Sequence, residues 1–569
     1  MNGFRVAGRA GKVLTGFLRD DSLFPLSERE EVLYIEGTRR VVPMLDLSTS
    51  DATDGGAPLH FVGCNVPRAT GFPDGTGVIV GVVDTGIDWR HLDFVDESAN
   101  PPTSRILLLW DQTDPGGPTP SGLDYGTEWR QDDINDELDG SPAGVVRETD
   151  AADSDAPGHG THVTGIAAGD GSATDGDLPP GTFAGVAPGA AIIFVKTDFT
   201  DVGVIDGVNY ILQRAQALGR PVVVNLSLGS HEGSHDGTSN FEAAISSLVG
   251  PGRILVNSAG NSRGSRDHAE SAIPQGGTVE VAIQITGATA YVDLWHTGGD
   301  AYLAELTAPE SVGFILSADY SNTASGNIGD ASVTIYNAVT DPPNGDEEIF
   351  VSWEGLDASR QGTWTLELSR TVSAGDGEWD AWCIEDARFG SRYSDGELVV
   401  EPANAENVIA VGASIGRKTW VDRNGITRTE LILPGNIASF SSPGPTRDTV
   451  ARPGRLKPDI TAPGQNIFAA MASGVSFGSS DVSVDDRHRR GTGTSMSAPH
   501  VTGAVALLLG EHPDLTPEEA LAMLRSTARV DGYVGSIPNT LWGWGKMNVL
   551  PLVSRSMAGV DDSVWLGLE

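Results

Sequence analysis

A carboxylate, an imidazole and a hydroxyl each stand in a short glycine-rich motif where they could carry acyl-transfer chemistry. Asp84 lies in Asp84-Thr85-Gly86 and His159 in Gly158-His159-Gly160-Thr161-His162. Ser495 lies in Gly493-Thr494-Ser495-Met496-Ser497-Ala498-Pro499-His500. A serine hydroxyl is a poor nucleophile until a base takes its proton. Histidine can be that base, and a carboxylate can hold its tautomer and stabilise its charged form. Two other runs compete. His231-Glu232-Gly233-Ser234-His235 spells H-E-x-x-H, a zinc pattern that requires both histidines on one helix face. Gly233 and the following Asp236-Gly237 make it a loop instead. Gly260-Asn261-Ser262-Arg263-Gly264 fits G-x-S-x-G, but a nucleophile elbow must turn directly into a helix, and the residues that follow lack helical periodicity.

These groups need elements to hold them. Gly77–Asp84 is a continuous β-branched run, which predicts a buried parallel strand ending at the carboxylate. Similar strands are expected at Ala191–Val195, Pro221–Asn225, Arg253–Asn257 and Val408–Gly412, with helices at Gly207–Leu218 and Phe241–Val249 between them. Strands alternating with helices imply an α/β domain. His159 and Ser495 each open a helix, and a further helix is expected over Pro517–Arg525. A serine at a helix N-terminus meets the positive end of the dipole, with backbone N–H groups available to an oxyanion.

Between about 275 and 400 the rhythm changes to short alternating strands: TVEVAIQI, AYVDLWH, SVTIYNA, EIFVSWEG and TWTLELSR. Trp295, Trp353, Trp364, Trp379 and Trp382 cluster there. This predicts an inserted all-β module, a sandwich or jelly roll. The expected fold class is therefore α/β, one parallel-sheet catalytic domain split by a β-insertion. Before it, residues 16–30 read as a polar helix and Val32–Ile35 as a strand.

The 569 residues carry a net charge of −40. That charge disfavours nucleic acid and anionic membranes as partners. Two cysteines, Cys64 and Cys383, cannot build a disulfide framework. No stretch approaches the roughly 20 apolar residues of a membrane span, and the N-terminus lacks the apolar core of a signal peptide. As given, the chain reads as cytoplasmic, with secretion left open.

Together the motifs resemble the subtilisin family, whose catalytic residues follow the order Asp, His, Ser along the chain. The resemblance covers roughly 71–262 and 405–550. It implies a serine endopeptidase acting on protein or peptide substrates, with no cofactor needed for the chemistry. Asn225-Leu226-Ser227-Leu228-Gly229 resembles the family's S1 edge, where Ser227, Leu228 and Gly229 would pair with substrate backbone. Ser258-Ala259-Gly260-Asn261 resembles its oxyanion-hole segment, with Asn261 donating its side-chain amide. Structural calcium is a further family feature, and Asp93 matches a position that binds it in some members. The acidic stretches 111–155 and 170–177 suit either calcium or a solvated loop. Trp110-Asp111-Gln112-Thr113, Tyr125-Gly126-Thr127-Glu128 and Ser234-His235-Asp236-Gly237-Thr238 resemble the branch with clostridial spore-germination subtilases, which carry a jelly-roll insertion.

The expected division is a partial prodomain-like segment (1–70), a first catalytic part (71–264), the β-module (265–404), a second catalytic part (405–555) and a tail (556–569). Leu26–Glu36 resembles the last helix and strand of a prodomain. The segment TDFTDVGVIDG after Lys196 is expected to line the far side of the cleft. A retired, binding-only protein would typically have lost a triad residue, and a processing protease fits better than a digestive one. Oligomeric state is left open.

Overall fold

The computed structural model describes residues 4–10, 13–18, 42–43, 73–140, 146–150, 156–174, 178–340, 344–449 and 452–557. Of the segments discussed above, residues 19–36, Cys64, 141–145, 151–155, 175–177 and 558–569 lie outside these ranges.

An eight-stranded sheet forms the centre, in the order Ile460–Gln465, Ile409–Ile415, Arg253–Ser258, Val222–Leu226, Ile79–Asp84, Ala191–Lys196, Ile106–Asp111 and Thr127–Arg130. Neighbours run parallel, except that Thr127–Arg130 is antiparallel to its partner. Both faces are covered, as a continuous apolar strand requires. Along Ile79–Asp84 the period of two divides the side chains. Val80 and Val82 join one core with Val163, Ile166, Val501 and Val505, while Ile79 and Val83 join another with Val204, Val208 and Ile245. The first core is closed by helices His159–Ala168 and Thr494–Glu511, the second by Asp201–Ala217 and Asn240–Leu248. Gly81 permits that second closure, because a Cβ there would strike the Ile211 side chain.

Ten antiparallel strands between His268 and Ser394 form the all-β insertion. It has its own core, in which Trp353 and Trp364 meet edge to face at 5.7 Å. TVEVAIQI and AYVDLWH are one strand, Thr278–His296, rather than two. Residues 278–285 pair with Gly362–Val372 and residues 290–296 with Glu347–Glu354, while Glu378–Phe389 follows both halves across a register shift between Ile285 and Ala290. The intervening Thr-Gly-Ala-Thr suggests a turn, but the ladder takes it up as a register shift within one strand.

Other elements differ at their ends. The helix expected from Gly207 begins at Asp201, because the Thr200 hydroxyl caps it by accepting from the Gly203 N–H. Most of TDFTDVGVIDG is therefore helix, and only its first residues form a loop. At the N-terminus, Val13–Leu18 is a strand paired with Phe4–Ala10, where residues 16–18 were expected to start a helix. Thr15 donates to Asp206 at 2.7 Å, tying this hairpin to the Asp201–Ala217 helix. Among the described residues no helix is long and apolar enough to cross a membrane.

Candidate active site

Asp84 ends the central strand and His159 begins a helix, and the two side chains meet in the buried interior. His159 Nδ1 lies 2.6 Å from Asp84 Oδ1. The same carboxylate oxygen accepts the Thr85 backbone N–H at 2.8 Å. His159 Nε2 is buried without a hydrogen-bond partner. Gly160 makes the approach possible, since a Cβ there would run into the Gly86 carbonyl and crowd Asp84.

A second carboxylate, not anticipated from sequence, pins these elements together. Asp150 is fully buried, and its Oδ2 accepts from the Thr161 N–H at 2.9 Å and the Thr161 hydroxyl at 2.6 Å. Its Oδ1 accepts from the Thr85 hydroxyl at 3.0 Å and the Gly158 N–H at 3.2 Å. The Thr85 oxygen in turn accepts the Gly160 N–H at 3.0 Å. Asp150 thus satisfies first-turn donors of the His159 helix and fixes the residue next to Asp84.

The GHGTH motif holds two histidines, and their surroundings separate them. His162 Nε2 lies 3.1 Å from the Ile467 carbonyl and 3.0 Å from that of Arg489. Burial, reinforced by the Arg489 charge, drives its pKa well below the ordinary histidine value. His162 is therefore a neutral packing residue.

Ser495 lies in the first turn of the 18-residue helix Thr494–Glu511. Its Oγ donates to the Ser227 carbonyl at 3.2 Å, not to His159. Ser227 answers with its own hydroxyl, which donates to the Ser495 carbonyl at 2.9 Å. Behind it, Asn225 donates to the Ser227 hydroxyl at 2.9 Å and accepts from Thr502 at 2.9 Å. This buried ladder locks the Ser227–Gly229 edge to the serine helix.

Asn261 faces the same helix. Its Oδ1 accepts from the Thr494 backbone N–H at 2.8 Å and the Thr494 hydroxyl at 3.0 Å. A backbone N–H can only donate, so the side-chain oxygen must point there and the amide nitrogen the other way. Gly260 donates its N–H to the Thr494 hydroxyl at 3.1 Å. Ala259 is committed to the scaffold, its N–H to Val411 and its carbonyl to Val400. Ser258 is buried at the end of the Arg253–Ser258 strand.

Leu228 and Gly229 form an edge strand, and the chain's own Val42–Pro43 pairs with it antiparallel, Leu228 opposite Pro43 and Gly229 opposite Val42. This edge therefore already receives an extended segment by strand addition.

The competing motifs are structural. The His231–His235 run is not helical, and His235 has a φ of +54°. His231 Nε2 lies 2.8 Å from the Ser262 hydroxyl, while His235 Nδ1 lies 2.9 Å from the Val399 carbonyl. His231, His235, Trp382 and His268 stack in sequence, with the His235 and Trp382 rings 4.0 Å apart, joining the catalytic part to the insertion. Burial pushes the His231 pKa down to about 3. No helix follows Ser262, so it is not an elbow nucleophile.

Asp93 is fully buried and both its oxygens are engaged. Oδ1 accepts from the Ala173 N–H at 2.9 Å and Oδ2 lies 3.0 Å from His488 Nε2, whose other nitrogen lies 2.7 Å from Asp485. Burial opposes charge on His488, but its bonds to Asp485 and Asp93 outweigh that and push its pKa up to about 9. His488 thus sits between the Asp93 and Asp485 carboxylates, on the side of Asp93 that a cation would take.

Comparison with known proteins identifies the family and the fold. A sequence model of the subtilase family, Peptidase S8, matches residues 75–348 and 359–545. The Arabidopsis thaliana subtilisin-like protease SBT1.7 is 27% identical over 510 residues, 82% of this chain and 61% of the relative. Serine protease AprX of Bacillus subtilis is 32% identical over 179 residues, 31% of this chain and 36% of the relative. The chain thus spans about three fifths, or less, of the length of these relatives. The structure of the Clostridium perfringens CspB protease superposes with a TM-score of 0.68 at 22% identity, covering 88% of this chain and 99% of that one, and so shares the fold. With the family match spanning both halves of the central sheet, the chain belongs to the subtilase family.

Proposed function

We propose that this protein is a serine endopeptidase in which Asp84, His159 and Ser495 form the catalytic triad and Asn261 completes the oxyanion hole. The observation that carries the reading is the buried Asp84–His159 bond at 2.6 Å, which leaves His159 Nε2 unclaimed. With the proton on Nδ1 held by the carboxylate, Nε2 carries the lone pair that a general base needs. The Ser495 bond to the Ser227 carbonyl, at 3.2 Å, is long for a hydroxyl donor. Rotation about the Ser495 side-chain torsion frees the hydroxyl from that bond, and in this mechanism it then donates to Nε2.

A peptide that takes the place of Val42–Pro43 along Leu228–Gly229, in the same register, continues toward Ser227 and hence toward Ser495. Ser495 Oγ then attacks the carbonyl carbon as His159 takes the proton. The tetrahedral oxygen receives hydrogen bonds from the Ser495 backbone N–H, at the positive end of the helix, and from the Asn261 amide. His159 returns the proton to the leaving amine, and water repeats the sequence on the acyl-enzyme.

Asn261→Ala removes one oxyanion donor and leaves the triad intact. The expected result is a kcat lower by about 10²–10³-fold with KM nearly unchanged. Steady-state kinetics on a fluorogenic peptide give the answer, and an undiminished kcat counts against Asn261. The processing role is a narrower proposal, favoured by an edge that already carries a defined segment. A peptide-library profile should return a narrow consensus; cleavage after many unrelated residues would mark a digestive enzyme instead.

A further inference from the structure

Away from the triad, the join between the β-insertion and the catalytic part gathers three side chains that could ligate a metal. His268 lies on the His268–Ala272 strand and Asp380 on the antiparallel strand Glu378–Phe389, where His268 faces Trp382 and Glu270 faces Asp380. His268 and Asp380 are therefore diagonal neighbours, within reach for side chains of this length. Glu397 comes from the segment returning to the catalytic part. Its left-handed backbone, with a φ of +54°, and the bond from Trp382 Nε1 to its carbonyl at 2.9 Å fix its position.

One ligand atom from each residue lies within 4.8 Å of the other two. His268 Nε2 is 3.2 Å from Asp380 Oδ1 and 3.9 Å from Glu397 Oε2. A tetrahedral ion bound at about 2.0–2.2 Å holds its ligands roughly 3.3–3.6 Å apart, which these separations bracket. Glu397 Oε2 is buried without a hydrogen-bond partner. The other Asp380 oxygen accepts from Arg447 Nε at 3.1 Å, and Arg447 continues to Asp346 at 2.7 Å, an outer-shell arrangement that orients the carboxylate. The His268 ring is fully buried against Trp382, with centroids 4.9 Å apart. The side chains of Asp380 and Glu397 are 14% and 15% exposed, so solvent reaches the carboxylate side.

We propose that His268, Asp380 and Glu397 bind a divalent transition-metal ion of the Zn²⁺ type, with water as the fourth ligand, bracing the insertion against the catalytic part. One imidazole nitrogen and two carboxylates suit Zn²⁺ better than Ca²⁺, which takes oxygen ligands. His268 Nδ1 faces no acceptor. This incomplete outer shell sets the affinity about 10–100-fold below that of a fully supported site.

The test is a calorimetric titration of the metal-stripped full chain with Zn²⁺, alongside Glu397→Gln, which keeps the side-chain volume and removes the charge. One equivalent should bind the wild type and raise its thermal midpoint. In the variant the affinity should fall at least tenfold and the midpoint rise should vanish, while peptide hydrolysis in Zn²⁺-free buffer stays at the wild-type rate. Absence of saturable binding by the wild type, or binding that Glu397→Gln leaves unchanged, overturns the proposal. A second variant, Asp380→Asn, must give the same loss of binding if the two carboxylates share one ion.

Discussion

Ser495→Ala is expected to lower kcat by about 10⁶-fold, the scale of loss when a nucleophile is removed from a subtilisin triad. The size follows from interdependence. Without Oγ no acyl-enzyme forms, so a correctly held His159 has no proton to accept. Residual turnover then comes from the oxyanion donors and substrate binding alone. Folding should survive the change. The weak 3.2 Å bond to the Ser227 carbonyl is lost, but the reciprocal bond from the Ser227 hydroxyl to the Ser495 backbone carbonyl remains. A thermal melt should show a stability change within about 1 kcal/mol, so that loss of activity reports chemistry rather than unfolding.

Asp84→Asn is the second large effect, with kcat expected to fall about 10⁴-fold and KM to change little. One oxygen of Asp84 serves both His159 Nδ1 and the Thr85 N–H. The asparagine keeps the local geometry, but its amide no longer enforces the imidazole tautomer that leaves Nε2 as the base. The negative charge that stabilises the imidazolium in the transition state disappears as well. The kinetic split is therefore diagnostic. A raised KM with unchanged kcat would assign Asp84 to substrate binding instead.

The chemistry-bearing residues were legible because each sits in a contiguous motif at the end of a strongly patterned element. The β-branched run before Asp84 announces its strand, and the glycines around His159 and Ser495 announce the tight entries into their helices. Asn261 was legible only through resemblance; its orientation comes from Thr494, more than 200 residues further along. Asp150 left no signal, since its partners Thr85 and Thr161 lie in other motifs and hydrogen bonds across a fold impose no sequence period. The Asn225–Ser227–Thr502 ladder was hidden for the same reason. A local rule also misled in one place. Thr-Gly-Ala-Thr at 286–289 has turn chemistry, but the pairings of 278–285 and 290–296 carry one strand through it. Asp93 has the residue type of a calcium ligand, and sequence alone could not show that its oxygens meet the Ala173 N–H and the His488 ring.

The central claim is that Ser495 is the nucleophile activated by His159, and covalent labelling tests it most directly. A fluorophosphonate probe reacts with an activated serine hydroxyl, and peptide mass spectrometry locates the adduct. The account predicts one adduct per chain, on Ser495, absent from Ser495→Ala and formed far more slowly in His159→Ala. An adduct on another serine with Ser495 unmodified, or hydrolysis by Ser495→Ala at the wild-type rate, would contradict it.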